Sequence, residues 1–290
     1  MPESLIKGVS DTAFMVAAWR AAESERPDAL FRDPFAARLA GEHGKAIVAS
    51  LGKLTMGGWQ VVIRTVIIDE LIQQAIAAGT GTILNLGAGL DARPYRMNLP
   101  ASPRWIEVDY PHVIDWTAAQ LAGERPRCQL ERVKLDLADL PARRRLFAEI
   151  AAASPRTLIL TEGVVPYLTN DAAGALADDL QVFPGRAWIV DYFSAATLAY
   201  RKKMGISRKM SEAPFLFEPP DWFTFFAQHG WKPSEVRYLA PEARKLGRPI
   251  PLPPLMRLAM RAARLLAPAS KSEGLQKFAG YVVLAPTAAT

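Results

Sequence analysis

The stretch TILNLGAGLDARPYR, Thr82 to Arg96, decides the fold of this chain. Within it, the apolar run Ile83 to Leu86 has the length of a short strand and leads into Gly87 and Gly89, after which a polar segment is suited to open a helix. Glycine suits such a turn because it adopts the φ values that a tight turn demands and lets a ligand approach the backbone. The stretch therefore predicts the strand–turn–helix unit of a nucleotide site.

The sequence of this turn leaves two other interpretations of its role open. Gly87 to Ala92 also fits the dinucleotide pattern G-x-G-x-x-G/A, and Asp109 lies twenty residues beyond Gly89, as expected of a nicotinamide enzyme. A glycine turn that only joins a buried strand to a helix is the other interpretation. The sequence around the turn has to decide among the three.

The composition predicts an ordinary soluble globular protein. The chain has 290 residues, 50% hydrophobic and 22% charged, with a mean hydropathy of +0.05, which suffices for one large domain plus an accessory layer. Its single cysteine, Cys128, excludes an intramolecular disulfide and a cysteine-based metal cage, which fits a reducing, cytoplasmic compartment. The N-terminus lacks the apolar core of a secretion signal, and no apolar run reaches the roughly 18 residues of a membrane span. We therefore expect neither a metal site nor a transmembrane segment.

Positive charge concentrates near the C-terminus. Between Lys232 and Lys277, ten Lys or Arg stand against three Glu, so this segment carries +7 while the whole chain carries +6. Nucleic acid is a disfavoured partner because residues 241–277 hold no aromatic side chain to stack on bases. One face of a predicted helix, Leu255 to Leu266, carries three of the arginines: Arg257, Arg261 and Arg264. A solvated lid, an anionic substrate and weak contact with a membrane surface stay open for this face. Whether the chain forms a homo-oligomer also stays open.

From Gly81 onward, short apolar strands alternate with helical stretches, which is typical of a parallel α/β sheet. The predicted strands are Ile83 to Leu86, Trp105 to Asp109, Cys128 to Leu135, Thr157 to Glu162, Ala187 to Phe193, Val236 to Leu239 and Tyr281 to Leu284. Three parts are expected: a helical cap over 1–78, a nucleotide-binding α/β core over 79–193, and a substrate lid with the final strands over 194–290. Aromatic residues between Phe215 and Phe226 suit either a core or the wall of an apolar pocket.

Acids stand at the ends of four predicted strands, where sheets of this kind bind ligands: Asp109, Asp136, Glu162 and Asp191. S-adenosylmethionine requires such a set. Asp109 can accept hydrogen bonds from the ribose hydroxyls, and Asp136 with the Leu137 backbone lies where adenine is expected. Arg64, in the helix before the first strand, can bind the methionyl carboxylate, and Glu162 can reach the methionyl ammonium. In a dehydrogenase, Asp136 and Arg64 would have no evident role.

Several segments, in a fixed order, carry a resemblance to a known family: VSDTA (9–13) with Arg20 and Ala21, DPFA (33–36), NLGAGLDAR (85–93), EVDYP (107–111), LDL (135–137) and EGVVPYL (162–168). Over roughly 8–193 the chain resembles the leucine carboxyl methyltransferase superfamily of class I S-adenosylmethionine-dependent methyltransferases. Its bacterial branch, which includes carboxyl O-methyltransferases of polyketide natural-product pathways, is the most similar. The resemblance implies a Rossmann-like α/β sheet, mostly parallel with the last strand antiparallel, together with N-terminal helices and a C-terminal helical lid.

The resemblance also implies a cofactor site for S-adenosylmethionine, formed by Arg64, Gly87, Ala88, Gly89, Asp109, Tyr110, Asp136, Leu137 and Glu162. One departure concerns a lysine that the eukaryotic members place in the first helix at the cofactor. This chain has Thr12-Ala13-Phe14 there, and Arg20 is a candidate to replace the lysine. No catalytic residue is identified, and Tyr167 and Arg20 are the weak candidates.

These residues predict an S-adenosylmethionine-dependent O-methyltransferase that acts on a small, anionic molecule at a carboxylate. A carboxylate is ionised at neutral pH, so transfer to it needs no general base, and the rate can come from alignment in a dry pocket. His43, His112 and His229 are accordingly expected to be structural or solvated. A nicotinamide-dependent oxidoreductase and a non-catalytic protein that binds the cofactor or an anionic lipid are the alternatives.

Overall fold

The computed structural model describes residues 8–51, 55–203, 213–251 and 276–287. The helices in these ranges are α1 (Val9–Ser24), α2 (Ala36–Ser50), α3 (Thr55–Ala77), α4 (Arg93–Arg96), α5 (Pro111–Gln120), α6 (Leu140–Ala152), α7 (Asn170–Asp179), α8 (Ala195–Lys203), α9 (Trp222–Gln228) and α10 (Leu239–Lys245). The strands are β1 (Thr82–Leu86), β2 (Arg104–Asp109), β3 (Gln129–Lys134), β4 (Thr157–Thr161), β5 (Ala187–Phe193), β6 (Trp231–Tyr238) and β7 (Ala279–Pro286).

These strands form one sheet in the order β3-β2-β1-β4-β5-β7-β6. β1 to β5 run parallel, whereas β7 pairs antiparallel with both β5 and β6. The chain moves from β1 outward to β3 and then returns to β4 on the other side of β1. This reversal opens a crevice at the carboxyl ends of β1 and β4, where α/β sheets bind ligands. The predicted α/β sheet, mostly parallel with an antiparallel last strand, is confirmed.

Helices cover both faces of the sheet, which explains why its central strands are continuous apolar runs. All residues of β1 and of β4 are buried. On one face, Ile63 and Ile67 of α3 pack with Trp105 of β2. On the other face, Phe147 of α6 and Phe226 of α9 belong to a second apolar cluster. Because α3 is held against the sheet by its isoleucines, its polar residues are placed at fixed positions beside the crevice.

The helices α1 and α2 pack against each other and against the segment that follows β1. Ala17 of α1, Leu39 of α2 and Leu90 share one buried apolar cluster. The two helices approach closely at Gly44, where a Cβ atom would stand 2.5 Å from the backbone oxygen of Phe14. This packing places α1 beside the carboxyl end of β1, where it becomes one wall of the crevice.

The aromatic cluster between 215 and 226 divides between the two predicted roles. Phe217, Trp222 and Phe226 are buried in the apolar core. Phe215 instead lies on the wall of the large cavity that the crevice forms. Both interpretations of the cluster therefore hold, each for different members.

The bounds predicted for the strand over Val236 to Leu239 are wrong at both ends. The observed strand begins at Trp231, and Leu239 is already the first residue of α10. This edge strand contains Pro233, which an edge position tolerates, and its register shifts between Pro233 and Glu235. The predicted basic helix, 255–266, lies outside the described residues. Within the described ranges, no helix is long and apolar enough to span a membrane. The part boundaries at 78 and 193 stay a prediction.

Candidate active site

The glycine turn after β1 has a geometry that requires glycine. Gly87 and Gly89 have φ angles of 65° and 56°, in the left-handed region where other residues are strained. The Gly87 N–H donates to the Val108 oxygen at 2.8 Å, which ties the turn to β2. A Cβ atom on Gly87 would stand 2.4 Å from Cγ2 of Val164, which follows β4. The turn is thus clamped between the ends of two neighbouring strands.

Asp109, at the end of β2, holds this turn with its side chain. Its Oδ2 atom accepts the Gly89 N–H and its Oδ1 atom accepts the Tyr110 N–H, both at 2.7 Å. Burial raises the pKa of Asp109, and the two N–H groups oppose that rise. An ionised carboxylate has about four acceptor positions. Two positions therefore stay available to hydroxyl groups of a ligand in the crevice.

The segment after β3 presents polar groups of its own. The Asp136 Oδ1 atom accepts the Ala138 N–H at 2.9 Å, which folds this segment into a turn. Arg143 donates to the Leu137 oxygen at 2.9 Å and pairs with Asp179, so the Leu137 peptide is held in place. Among the hydrogen bonds of the described residues, none uses the Leu137 N–H as donor. A carboxylate acceptor and a free backbone donor thus lie side by side, as an adenine edge requires.

Glu162, directly after β4, lies between two arginines. Its Oε1 atom is 2.8 Å from Arg64 Nε, and its Oε2 atom accepts from Arg93 Nη1 at 2.8 Å. Burial would raise the pKa of Glu162, but Arg93 and Arg64 outweigh it and lower the pKa below its ordinary value. Glu162 therefore stays ionised at neutral pH.

Arg64 of α3 has N–H groups that make no aligned hydrogen bond within the described residues. Its contact with Glu162 is an ion pair without hydrogen-bond alignment, and its buried Nε atom has no hydrogen-bond partner within the described part of the chain. Burial lowers the pKa of Arg64, but the charge of Glu162 outweighs this and the pKa is raised. A partly buried, permanently charged guanidinium with N–H groups that make no aligned hydrogen bond lines the crevice, and this is the donor set that binds a carboxylate.

An ionic network that no sequence pattern predicted supports Glu162. Arg93 Nε pairs with Asp69 at 2.7 Å, and Arg93 Nη1 pairs with Asp91 at 2.9 Å. Arg96 makes two further hydrogen bonds to Asp69, of 2.7 and 2.8 Å. The sequence signal was present, since Asp69 lies on the same helix as Arg64 and Arg93 ends the NLGAGLDAR segment. The network fixes the Arg93 guanidinium, and thereby the carboxylate of Glu162.

The two weak catalytic candidates differ in their surroundings. Tyr167 packs edge-on against Phe215, with ring centroids 5.2 Å apart, and burial raises its pKa although a hydrogen bond with Thr12 opposes the rise. Arg20 is buried and donates to Asp33 at 3.0 Å and to the Leu90 oxygen. Arg20 therefore links α1 to the segment after the glycine turn, while Tyr167 presents an aromatic surface.

All of the predicted cofactor residues, and both catalytic candidates, line a single cavity of about 1730 Å³. A pocket for one small molecule has a volume of about 300 to 1,000 Å³, so this cavity has room for two. Asp191 is absent from its wall, because its carboxylate accepts the Gly163 N–H and the Tyr281 hydroxyl, both at 2.8 Å. Within the described residues, no cluster of three His, Cys, Asp or Glu is suited to hold a metal ion.

The histidines lie away from the described cavity wall. His43 is 2.9 Å from Asp11, His112 is 3.1 Å from Ser10, and His229 is 2.8 Å from Asp178. Each is thus close to a polar side chain that can bind it.

The sequence model of the leucine carboxyl methyltransferase family matches residues 13–181, a range that contains every predicted cofactor residue. The chain belongs to this family. This leucine carboxyl methyltransferase family member is similar to a protein of Streptomyces avermitilis named as an S-adenosyl-L-methionine-dependent methyltransferase, with 33% identity over 85% of this chain and 91% of the relative. A protein of Mycobacteroides abscessus with the same description is 32% identical, again over 85% of this chain and 91% of the relative.

Solved structures show the same fold. A DUF574 family protein from Streptomyces avermitilis superposes with a TM-score of 0.58 at 15% identity, over 93% of this chain and 96% of the other. A structure from Thermobifida fusca that is described as a methyltransferase superposes with a TM-score of 0.53 at 18% identity, over 88% of this chain and 93% of the other. The family decides between the nucleotide classes that the glycine turn left open: the protein is an S-adenosylmethionine-dependent methyltransferase, as predicted.

Proposed function

We propose that S-adenosylmethionine lies across the carboxyl ends of β1 to β4, held by the predicted cofactor residues. The Gly87–Gly89 turn would face the methionyl part of the cofactor. The methionyl carboxylate would accept hydrogen bonds from the unused N–H groups of Arg64, and the methionyl ammonium would face Glu162. The free acceptor positions of Asp109 suit the ribose hydroxyls, and Asp136 with the Leu137 N–H suits adenine. The fit is supported by the guanidinium of Arg64, which lines the cavity and makes no aligned hydrogen bond within the described residues, and by the free acceptor positions of Asp109.

The acceptor in this proposal is a small organic acid, methylated on a carboxylate oxygen. The observation that carries it is the lack of a free base beside the methionyl end of the described cavity wall. No histidine lines that wall, Glu162 is paired with two arginines, and burial raises the pKa of Tyr167. At this end of the cavity, none of these groups is ready to take a proton from an acceptor that must lose one, whereas a carboxylate arrives ionised.

The mechanism then needs no proton transfer. Bound S-adenosylmethionine would supply a methyl group on a positively charged sulfur. Transfer of this methyl to the carboxylate oxygen would form the oxygen–carbon bond as the carbon–sulfur bond breaks, so that both charges would disappear in a methyl ester and a thioether. The chain's part is to align the two reactants and to exclude water. Opposite charges that neutralise each other react faster in an apolar site than in water.

A labelled methyl-transfer assay tests this function. The protein is incubated with methyl-tritiated S-adenosylmethionine and with decanoic or phenylbutyric acid, or with the matching alcohols and amines. Label should enter the acids, and mild alkali should release it as volatile methanol, since esters hydrolyse and ethers do not. The turnover rate should stay constant between about pH 6 and about pH 9, where a carboxylate is already ionised. Label in an alkali-stable product of the alcohols or amines would reject the proposed acceptor.

A further inference from the structure

Arg201 of α8 differs from the other arginines of the cavity wall. Arg20, Arg64 and Arg93 each pair with a carboxylate. Arg201 lies on the same wall, yet among the described residues no carboxylate is within ion-pair distance of it. Its guanidinium carbon stands 4.0 Å from the centroid of the Phe215 ring. A partly buried guanidinium without a counter-ion is costly unless a ligand supplies the charge.

Arg201 belongs to an aromatic group that also includes Tyr167. The ring of Phe215 contacts the Arg201 guanidinium and also packs edge-on against Tyr167, with ring centroids 5.2 Å apart. Phe193 completes this aromatic group, 5.3 Å from Phe215. Arg64 is also close enough to influence the Tyr167 hydroxyl, but it has a carboxylate partner of its own, Glu162. The two cations are therefore suited to two different anionic groups.

Much of the cavity wall is apolar. Met15 and Trp19 of α1, Met56 and Val61 of α3, and Phe278 all line the cavity, whose volume exceeds what one small molecule fills. Such a wall suits a large apolar body more than a short or highly polar acid.

We propose that Arg201, stacked on Phe215, binds the carboxylate of an amphipathic acceptor acid whose apolar body lies against these α1 and α3 side chains. This inference rests on the proposed function and names its substrate class. A guanidinium that holds one carboxylate oxygen leaves the other oxygen to attack the methyl carbon. Once the oxygen is methylated the ester is neutral, so it loses the ion pair with Arg201 and is released. Neither Arg201 nor Phe215 lies within residues 13–181, the range that the family model matches.

Acid and ester forms of one ligand test the proposal by calorimetry. Protein saturated with S-adenosylhomocysteine is titrated with decanoic acid and with methyl decanoate, and likewise with phenylbutyric acid and its methyl ester. The wild type should bind at least one acid about tenfold more tightly than its ester, the scale of one charge-assisted hydrogen bond. Arg201→Gln should lose this preference, and Arg201→Lys should keep part of it because the charge remains.

Arg144→Gln is the matched control, since Arg144 is an exposed arginine that lies outside the cavity wall. It should keep the wild-type preference for the acid. All three variants should bind S-adenosylhomocysteine like the wild type, which shows that the fold and the cofactor site are intact. Equal binding of acid and ester by the wild type, or an unchanged preference in Arg201→Gln, would overturn the proposal.

The methyl-transfer assay separates a failure here from a failure of the proposed function. If Arg201→Gln methylates an acid with wild-type KM, the function stands and the role of Arg201 is refuted. If acids bind through Arg201 but never receive label, the binding site stands and the carboxylate acceptor is refuted. The expected result is a KM at least about tenfold higher in Arg201→Gln with kcat much less affected, because the residue acts by binding the acceptor.

Discussion

Replacing Asp109 by asparagine perturbs the proposed ribose contact with little change of shape. Asp109→Asn removes the negative charge and converts one acceptor oxygen into an NH₂ donor. In the native turn, both oxygens already accept backbone N–H groups, from Gly89 and Tyr110, at 2.7 Å. The amide oxygen can serve only one of these donors, so it has little capacity left for ribose hydroxyls, and the other N–H faces the NH₂ group.

The magnitude follows from these contacts. A hydrogen bond to a charged group is worth about 1.5 to 3 kcal/mol, so losing one ribose contact should raise the Kd for S-adenosylhomocysteine about 10- to 150-fold. The unsatisfied backbone N–H should also lower the free energy of unfolding by about 1 to 3 kcal/mol. The affinity must therefore be measured well below the melting temperature of the variant.

Isothermal titration calorimetry with S-adenosylhomocysteine is the assay, and Asp115→Asn is its control. Asp115 is an exposed acid of α5 that pairs with Lys134 at 2.6 Å and lies outside the cavity wall. Its removal deletes the same charge near the same end of β2, so it should change the Kd less than about threefold, since exposed ion pairs contribute little. If the folded Asp109→Asn protein binds as tightly as Asp115→Asn, the carboxylate does not hold the ribose.

Two further predictions concern the turn and a buried acid. Gly87→Ala should weaken S-adenosylhomocysteine binding at least about tenfold by calorimetry, because the Cβ atom would stand 2.4 Å from Val164 Cγ2 at a φ of 65°. The double variant Gly87→Ala/Val164→Ala should regain part of the affinity, and wild-type affinity in the single variant would contradict the need for glycine. Burial raises the pKa of Glu107 from 4.5 to about 7 although Arg132 opposes it, so the folded protein holds this proton more tightly than the unfolded chain. The resulting stabilisation is present below about pH 4.5 and is lost as the pH rises through 7, on the order of 3 kcal/mol in total. Urea unfolding at pH 5 and pH 8 should show a smaller loss in Glu107→Gln than in the wild type, and equal losses would disprove this role of Glu107.

The parts of the site that the sequence predicted follow from the geometry of parallel strands. The carboxyl ends of β1 to β4 meet at one edge of the sheet, so Gly87, Asp109, Asp136 and Glu162 had to lie close together once the strands were placed correctly. Asp191 fails this rule because it lies two residues before the end of β5, where Gly163 and Tyr281 bind its carboxylate. A strand-end acid is a ligand candidate only when its oxygens are left free.

The remaining site residues depend on contacts that no local pattern encodes. Arg93 pairs with Asp69, and with Glu162 far along the chain, and these partners are set by tertiary packing rather than by helical or strand periodicity. Arg201 and Phe215 come together from either side of a segment outside the described residues. The sequence could indicate the aromatic region around Phe215, but it could not show that the Arg201 guanidinium stacks on one of its rings.

A crystal structure of the protein with S-adenosylhomocysteine is the most direct test of the central claim, the placement of the cofactor across β1 to β4. The account predicts the ribose hydroxyls at Asp109, adenine beside Asp136 and the Leu137 N–H, and the methionyl carboxylate at Arg64. A nucleoside bound elsewhere in the cavity, with neither Asp109 nor Arg64 in contact with it, would contradict the account.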